Sequence, residues 1–258
     1  MIDIHTHLLV GVDDGSTDLE LSVARLRMMK EVGVQGVVLT SHYMRGSYDN
    51  TSNILTPKFK ALKGAALSDD NEIDLYQGYE VYLAPGVAND IVDYNLTMNG
   101  TRYVLVETDL NAFPTDFKEN LFQIVRKGYK PILAHAERYV NVIHHLSEAD
   151  DLINRNVYLQ VNAASLLGGY GRKVKQAAWG LLENGWVHFV ASDDHCKNPY
   201  YSLHVARAII AESIDELTAD LLTKVFPGKM IAGSDIPYRY VDITNERRKK
   251  SFLKRLFG

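Results

Sequence analysis

The sequence predicts an α/β domain built as a barrel of parallel strands, and three observations carry that prediction. Short β-branched or apolar runs alternate with stretches of helical periodicity about seven times along the chain. No strong hairpin signal joins neighbouring runs, so successive strands are connected by crossover helices and pair in parallel. With 258 residues and 46% hydrophobic composition, the chain suits one large domain closed, or nearly closed, on itself.

The first apolar run, from Met1, ends in His5-Thr6-His7. Side chains two apart on extended backbone share a face, so both imidazoles point the same way from a rigid base. A glycine-bracketed loop follows and carries Asp13 and Asp14; turn chemistry accounts for one carboxylate and leaves the other as a hard ligand, without deciding which. From 17 or 18, Leu19, Val23, Leu26, Met29 and Val32 recur at helical spacing and Gly33 closes the helix. Residues 34–40 form the next strand, running into Ser41-His42. A helix over 53–68 and a loop over 68–71 lead to a strand over 73–83 that holds Glu80. A carboxylate among Tyr79, Val81 and Tyr82 is costly to bury unless it is paired or bound to a cation. Pro85-Gly86 opens a helix to Tyr94, and the strand 103–106 ends in Glu107-Thr108. A helix over 116–127, closed by Gly128, precedes the strand 130–134, which ends in His135. A helix over 146–156, the strand 157–161 with its polar end Asn162, and a helix over 173–184 come next. The strand 187–191 then runs into Ser192-Asp193-Asp194-His195, and helices over 202–211 and 214–225 complete a domain of residues 1–240, leaving 241–258 as a basic tail.

In parallel barrels the functional groups gather at the C-terminal ends of the strands. His5, His7, His42, Glu107, His135, Asp193 and His195 all fall there, with Glu80 slightly inside its strand. Imidazole is the commonest metal ligand among side chains, and a catalytic zinc needs only three protein ligands. This larger mixed set therefore predicts two or three divalent ions bridged by carboxylates, which also relieves the repulsion among the gathered acids. His144, His145, His188 and His204 are expected to be structural or solvated, and Tyr43, Tyr48, Tyr200 and Tyr201 to lie near the site entrance.

A formal charge of −4 gives no general attraction to nucleic acid or anionic lipid. The one cysteine, Cys196, excludes an internal disulfide framework and suits a reducing compartment. The N-terminus lacks the pattern of a secretory signal and no run reaches transmembrane length, so the expected location is the cytoplasm.

Six stretches taken together carry a resemblance: Met1-Ile2-Asp3-Ile4-His5-Thr6-His7, Val12-Asp13-Asp14-Gly15, Thr40-Ser41-His42, Gly78-Tyr79-Glu80, Ala134-His135-Ala136-Glu137-Arg138-Tyr139 and Ala191-Ser192-Asp193-Asp194-His195. In this order, from residue 1 to about 235, the chain resembles the polymerase and histidinol phosphatase (PHP) superfamily. More narrowly, it is similar to the capsule and exopolysaccharide protein-tyrosine phosphatases of Gram-positive bacteria. The resemblance implies a distorted (β/α)7 TIM-like barrel, the PHP fold, with a manganese-preferring site of two or three ions, iron, cobalt or zinc being alternative occupants. Its ligands would be His5, His7, Asp14, His42, Glu80, Glu107, His135, Asp193 and His195, the family's spacing choosing Asp14 over Asp13. Asp193 and His195 would share in catalysis and Arg138 would bind phosphate. Relatives often carry a second arginine after the Asp-x-His motif; here Cys196-Lys197-Asn198-Pro199 follows, leaving Lys197, Arg45 or Arg207 to complete the phosphate clamp.

The implied activity is removal of phosphate from phosphotyrosine in protein, with a membrane-associated tyrosine autokinase of capsular or exopolysaccharide synthesis as partner. Hydrolysis of histidinol phosphate is the alternative within the superfamily, and a non-catalytic scaffold binding a phosphotyrosine tail is a third. His195-Cys196 invites a cysteine-nucleophile mechanism, but that chemistry needs an arginine six positions on, where Ser202 stands. The acidic chain lacks an obvious basic groove for a nuclease. The tail, Arg247-Arg248-Lys249-Lys250-Ser251-Phe252-Leu253-Lys254-Arg255-Leu256-Phe257, is basic and interleaved with apolar residues, as expected of a segment that docks on an acidic partner or the inner membrane face.

Overall fold

The computed structural model describes residues 1–69, 72–197, 200 and 202–240. The basic tail and Tyr201 lie outside the described residues. Seven strands run in sequential order around one sheet: β1 (Ile2–Thr6), β2 (Gly36–Tyr43), β3 (Asp74–Tyr82), β4 (Tyr103–Glu107), β5 (Lys130–Leu133), β6 (Tyr158–Asn162) and β7 (Phe189–Ala191). Every neighbouring pair is parallel, as the crossover helices require. The strands are near-continuous apolar runs because barrel interior and helical layer bury both faces.

The barrel is nearly closed, and its seam lies between the C-terminal ends of the first and last strands. Asp193 donates its N–H to the His5 carbonyl at 2.9 Å, and His7 donates to the Asp194 carbonyl at 2.8 Å. Side chains reinforce the seam. Buried Asp3 accepts from the Ser192 N–H at 3.0 Å and from the Tyr200 hydroxyl at 2.8 Å, and Arg25 pairs with Asp194 at 3.0 Å.

The outer helices follow their sequence signals. In α1 (Leu19–Glu31) the Asp18 carboxylate accepts from the Leu21 N–H at 2.8 Å, capping one of the free donors of the first turn. Then come α2 (Ser52–Ser68), α3 (Val87–Tyr94) and α4 (Phe117–Arg126), the last burying Phe117, Leu121 and Ile124 at helical spacing. A one-turn 3-10 helix, Ala136–Arg138, and the short helix α5 (Val140–His144) precede α6 (Ser147–Asn154). After β6 come α7 (Ala163–Leu167) and α8 (Arg172–Glu183); α9 (Ser202–Ser213), α10 (Glu216–Asp220) and α11 (Phe226–Ile231) follow β7.

Two features depart from the sequence expectation. The turn at 136–138 and helices α5 and α7 were not anticipated, since five residues or fewer are too short for helical periodicity to declare itself. The last helix does not stop at Val225: a π turn over Leu221–Val225 joins α10 to α11, and Pro227 sits in the first turn of α11, where its missing N–H is of little consequence.

Residues 232–240 cross the N-terminal end of the barrel, opposite the metal-ligand candidates. Tyr103 and Tyr158 donate their hydroxyls to the Ser234 and Ile236 carbonyls at 2.8 and 2.7 Å, and Tyr238 stacks on Tyr158 with ring centres 4.4 Å apart. His188 is fully buried between them. Its Nδ1 accepts from the Leu159 N–H at 3.1 Å and its Nε2 donates to the Tyr238 carbonyl at 3.0 Å, a pattern that only neutral imidazole satisfies. Burial pushes its pKa from 6.5 down to about 4. A base whose pKa is depressed on folding binds protons more readily when unfolded, so stability falls as pH drops below about 6.5 and levels off below about 4. The full loss is roughly 3 kcal/mol at about 1.4 kcal/mol per pH unit. Urea unfolding between pH 7 and pH 4.5 should show this slope, flattened in His188→Gln; parallel slopes in both proteins would refute the assignment.

Candidate metal centre

The centre is built on β1. His5 and His7, both fully buried, project from its C-terminal end with their Nε2 atoms 3.2 Å apart. Two imidazole lone pairs at that distance call for a shared proton or a cation between them. Each ring is turned by its other nitrogen. His5 Nδ1 donates to Gln160 Oε1 at 3.0 Å and His7 Nδ1 donates to Asp13 Oδ2 at 2.9 Å, so both present Nε2 inward. The loop that brings Asp13 back folds tightly over His7: Ser16 donates its N–H to the His7 carbonyl at 2.9 Å, and a Cβ on Gly15 would meet that carbonyl oxygen at 2.1 Å.

The two adjacent carboxylates that the sequence did not distinguish by chemistry have different places. Asp13 is directed at His7 and also accepts from the His42 and Gly15 N–H groups at 3.2 and 3.0 Å. Asp14, at the cavity edge, holds Oδ1 3.4 Å from His42 Nε2 and 3.3 Å from His195 Nε2. Glu80 lies at the middle of the cluster. Its Oε2 is 3.1 Å from His5 Nε2 and 3.2 Å from both His7 Nε2 and His42 Nδ1, and its Oε1 is 3.1 Å from His135 Nε2. The β2–β3 register sets His42 opposite Glu80, and the β3–β4 register sets Tyr82 opposite Glu107, bringing Glu107 Oε1 to 3.0 Å from His42 Nδ1. Asp193 Oδ1 stands 3.3 Å from His5 Nε2.

All nine ligand candidates thus surround one cavity floor. Among the described residues, three overlapping groups each bring their donor atoms within 4.8 Å of one another: His7, Asp14, His42 and His195; His5, His7 and Asp193; and His42, Glu80 and Glu107. His135 sits at the edge, against Glu80. The sharing of His7 and His42 between groups, with Glu80 reaching four imidazoles, is the donor set that bridged divalent ions require. Burial opposes charge on both Glu80 and His5, yet their mutual attraction wins, holding Glu80 well below the carboxylate range and raising His5 to about 9.

Backbone strain is concentrated here. His135 has φ +34° and Asp193 φ +57°, left-handed conformations costing a non-glycine residue about 1 kcal/mol or more. Each is held by a strong partner: the His135 N–H donates to Gln160 Oε1 at 3.0 Å, and the Asp193 N–H donates across the seam.

β6 supplies no ligand candidate but orients three. Buried Gln160 receives His5 and His135 on one oxygen and donates through Nε2 to Asn162 Oδ1 at 2.8 Å; Asn162 donates to Asp193 Oδ2 at 2.8 Å. Sequence reading passed over Gln160, although two amides one residue apart at the end of an apolar strand were the available signal. It also passed over Asp3, the clasp of the seam, and Glu137, which accepts from the Asn162 N–H at 3.0 Å and from Ser165.

Arg138 reaches the cavity, its Nη1 3.4 Å from Asp193 Oδ2. The cavity holds about 860 Å³ and is also lined by Lys197, whose Nζ is 3.4 Å from Asp14 Oδ2. The other two cations expected at the phosphate clamp are elsewhere. Arg45 is fastened to Asp90 of α3, with Nε–Oδ2 at 3.1 Å. Arg207 corrects the expectation more sharply. It pairs with Asp220 at 2.8 Å and with Glu216, beside Met1 and Lys224 at the N-terminal end of the barrel, because the helix carrying it runs away from the mouth. Tyr48 stacks on His42 at 5.5 Å, Tyr200 is buried against Asp3, and Tyr43 donates to Asp90 at 3.1 Å. Cys196 is buried, and burial with Asp194 nearby pushes its thiol up to about 11, the opposite of an activated nucleophile.

Known proteins share this fold. A solved structure described as YwqE from Bacillus subtilis and CpsB from Streptococcus pneumoniae, unique metal-dependent tyrosine phosphatases, superposes with a TM-score of 0.86 at 26% identity, covering 93% of this chain and 97% of that one. Zinc-containing histidinol phosphate phosphatase of Lactococcus lactis, at 15% identity and TM-score 0.55, and the phosphotriesterase of Mycobacterium tuberculosis, at 13% and 0.57, share the fold. In sequence, the putative tyrosine-protein phosphatase CapC of Staphylococcus aureus is 30% identical over 196 residues, covering 76% of this chain and 77% of CapC. Tyrosine-protein phosphatase CpsB of Streptococcus pneumoniae is 29% identical over 244 residues, covering 90% of this chain and all of CpsB. The profile of the family of capsular polysaccharide synthesis, CpsB/CapC, matches residues 1–232, and the chain belongs to that family.

Proposed function

We propose that this centre hydrolyses phosphate monoesters of tyrosine in protein, with the nine donors as metal ligands and manganese as the preferred ion. The observation that carries the reading is Arg138 facing Asp193 at the rim of a multi-histidine, multi-carboxylate cavity floor, in a chain whose relatives are named tyrosine-protein phosphatases. Divalent ions held by these donors would acidify a water for attack near neutral pH and neutralise charge on the phosphoryl oxygens. The protein's own part is positional. Arg138 offers a planar fork to oxygens of the phosphate, and Lys197 at the cavity edge adds a second positive charge. Gln160 and Asn162 keep His5, His135 and Asp193 in register.

His195 donates Nδ1–H to the Asp193 carbonyl at 2.9 Å, which leaves Nε2 as a lone pair and fits a ligand rather than a proton donor. Burial and the neighbouring His7 lower its pKa further from a protonated state. A leaving group that needs little protonation matches this site, and the tyrosine phenolate, with a pKa of about 10, is one. A tyrosine kinase carrying phosphotyrosine is the expected macromolecular substrate, met in the cytoplasm at the inner membrane face through the basic tail. Among the described residues no helix is long and apolar enough to cross a membrane.

Phosphate release from a phosphotyrosyl peptide should be lost on chelation and restored by manganese ahead of zinc, iron or cobalt, and should exceed release from histidinol phosphate. Faster turnover of histidinol phosphate would transfer the assignment to that ester, and peptide binding without phosphate release would make the protein a scaffold. Gln160→Leu should weaken manganese binding in titration calorimetry by about 10- to 100-fold, the usual effect of removing a group that orients a ligand. Cys196→Ser should keep most of the peptide activity, since the thiol takes no part; near-complete loss would restore cysteine chemistry.

A further inference from the structure

The cavity has two unlike sides. Its floor is the charged cluster, whereas past the end of β6 the lining includes Leu167 and Tyr170 with the glycine backbone between them, and Leu110, from the loop after β4, also lines the cavity. Arg138 stands where the two meet: one nitrogen faces Asp193, and the guanidinium lies over the Tyr170 ring, 4.3 Å from its centre.

The backbone around Tyr170 is shaped to present that ring. Gly168 and Gly171 have φ +98° and +89°, conformations side-chain-bearing residues rarely adopt, and a Cβ on Gly169 would meet the Ala164 carbonyl oxygen at 3.2 Å. Beneath this loop Ser165 is tied to Glu137, so the turn rests on a buried base. Tyr170 itself remains 42% exposed. A cation–π cover for Arg138 accounts for one face of the ring but not for its exposure in a cavity that Leu110 and Leu167 also line.

We propose that Tyr170, with Leu167 and Leu110, is the specificity determinant that receives the aryl ring of the substrate and makes the site favour aryl over alkyl phosphate monoesters. The proposal rests on the phosphatase reading above and names the group that reading leaves unplaced. A phosphoryl group at the floor, clamped by Arg138, is one ester oxygen away from the ring it leaves. That ring falls against the apolar wall, where an alkyl ester has much less surface to bury. Tyr170 also acts as a positioning residue, holding the guanidinium flat and directed at the phosphoryl oxygens.

The test compares the manganese-loaded full chain with Tyr170→Ala and Tyr170→Phe. Calorimetry with phenylphosphonate and methylphosphonate, which cannot be hydrolysed, gives an aryl-to-alkyl affinity ratio; phenyl phosphate and glycerol phosphate give the same ratio for kcat/KM. Tyr170→Ala should lower both ratios about tenfold, mainly through KM for phenyl phosphate, while Tyr170→Phe stays within about twofold of the parent, as expected for one aromatic contact. Equal losses on aryl and alkyl ligands would overturn the proposal by reducing Tyr170 to a support for Arg138, as would a Phe variant as impaired as the Ala variant. If the parent chain favours phenylphosphonate, and loses that preference in Tyr170→Ala, but releases phosphate from no ester, the hydrolytic reading fails while the aryl site stands.

Discussion

The constraint on which this molecule turns is the seam between its first and last strands. Seven parallel strands close on themselves only where β1 meets the segment after β7, and the backbone bonds that close them belong to His5, His7, Asp193 and Asp194. Barrel closure and assembly of the centre are therefore one event. Donors separated by nearly the whole chain are brought within hydrogen-bonding distance by the same contacts that complete the sheet. Asp3 reinforces this from beneath, a buried carboxylate answered by the Ser192 N–H and the Tyr200 hydroxyl.

Gathering so many ionisable groups away from water would be prohibitive if each stood alone. The cluster holds because charges of both signs interleave: Glu80 lies among four imidazoles, and Asp13 fixes the far side of His7. Around this lies a neutral layer, Gln160 and Asn162, that sets ring orientation without adding charge. The left-handed backbone at His135 and Asp193 is sustained by that layer and by the seam. Such concentration of strain where ligands converge is what a preorganised site requires.

The two ends of the barrel have separate duties. At the N-terminal end a segment rich in aromatic residues, with buried neutral His188 and the Tyr158–Tyr238 stack, seals the core. At the other end the strand termini are left polar and open. Arg207, bound to acids at the sealed end, illustrates how helix direction decides which end a charge serves.

The order of strands and helices was legible from the chain because strands of three to nine residues lie in apolar runs, and helices of eight or more leave clear periodic traces. The ligand candidates were legible for a related reason: most sit at or just past the end of an apolar run, and the barrel rule assigns that position to the mouth. The short helices α5 and α7 left no such trace, and the π turn over Leu221–Val225 carries the last helix past the end expected at Val225. Gln160 was hidden because amides in an apolar strand, even Gln160 and Asn162 together, read as incidental until their neighbours across the sheet are known. Asp13 and Asp14 are equivalent by residue chemistry, the resemblance alone favouring Asp14, and the fold of the loop over Gly15 shows which group orients His7 and which faces the cavity. The sequence alone thus determined the architecture and the chemical inventory, through local periodicity and residue type. The tertiary structure alone decided which groups meet and which way each points, because distances across the sheet depend on register and closure, and these are not written in any single segment.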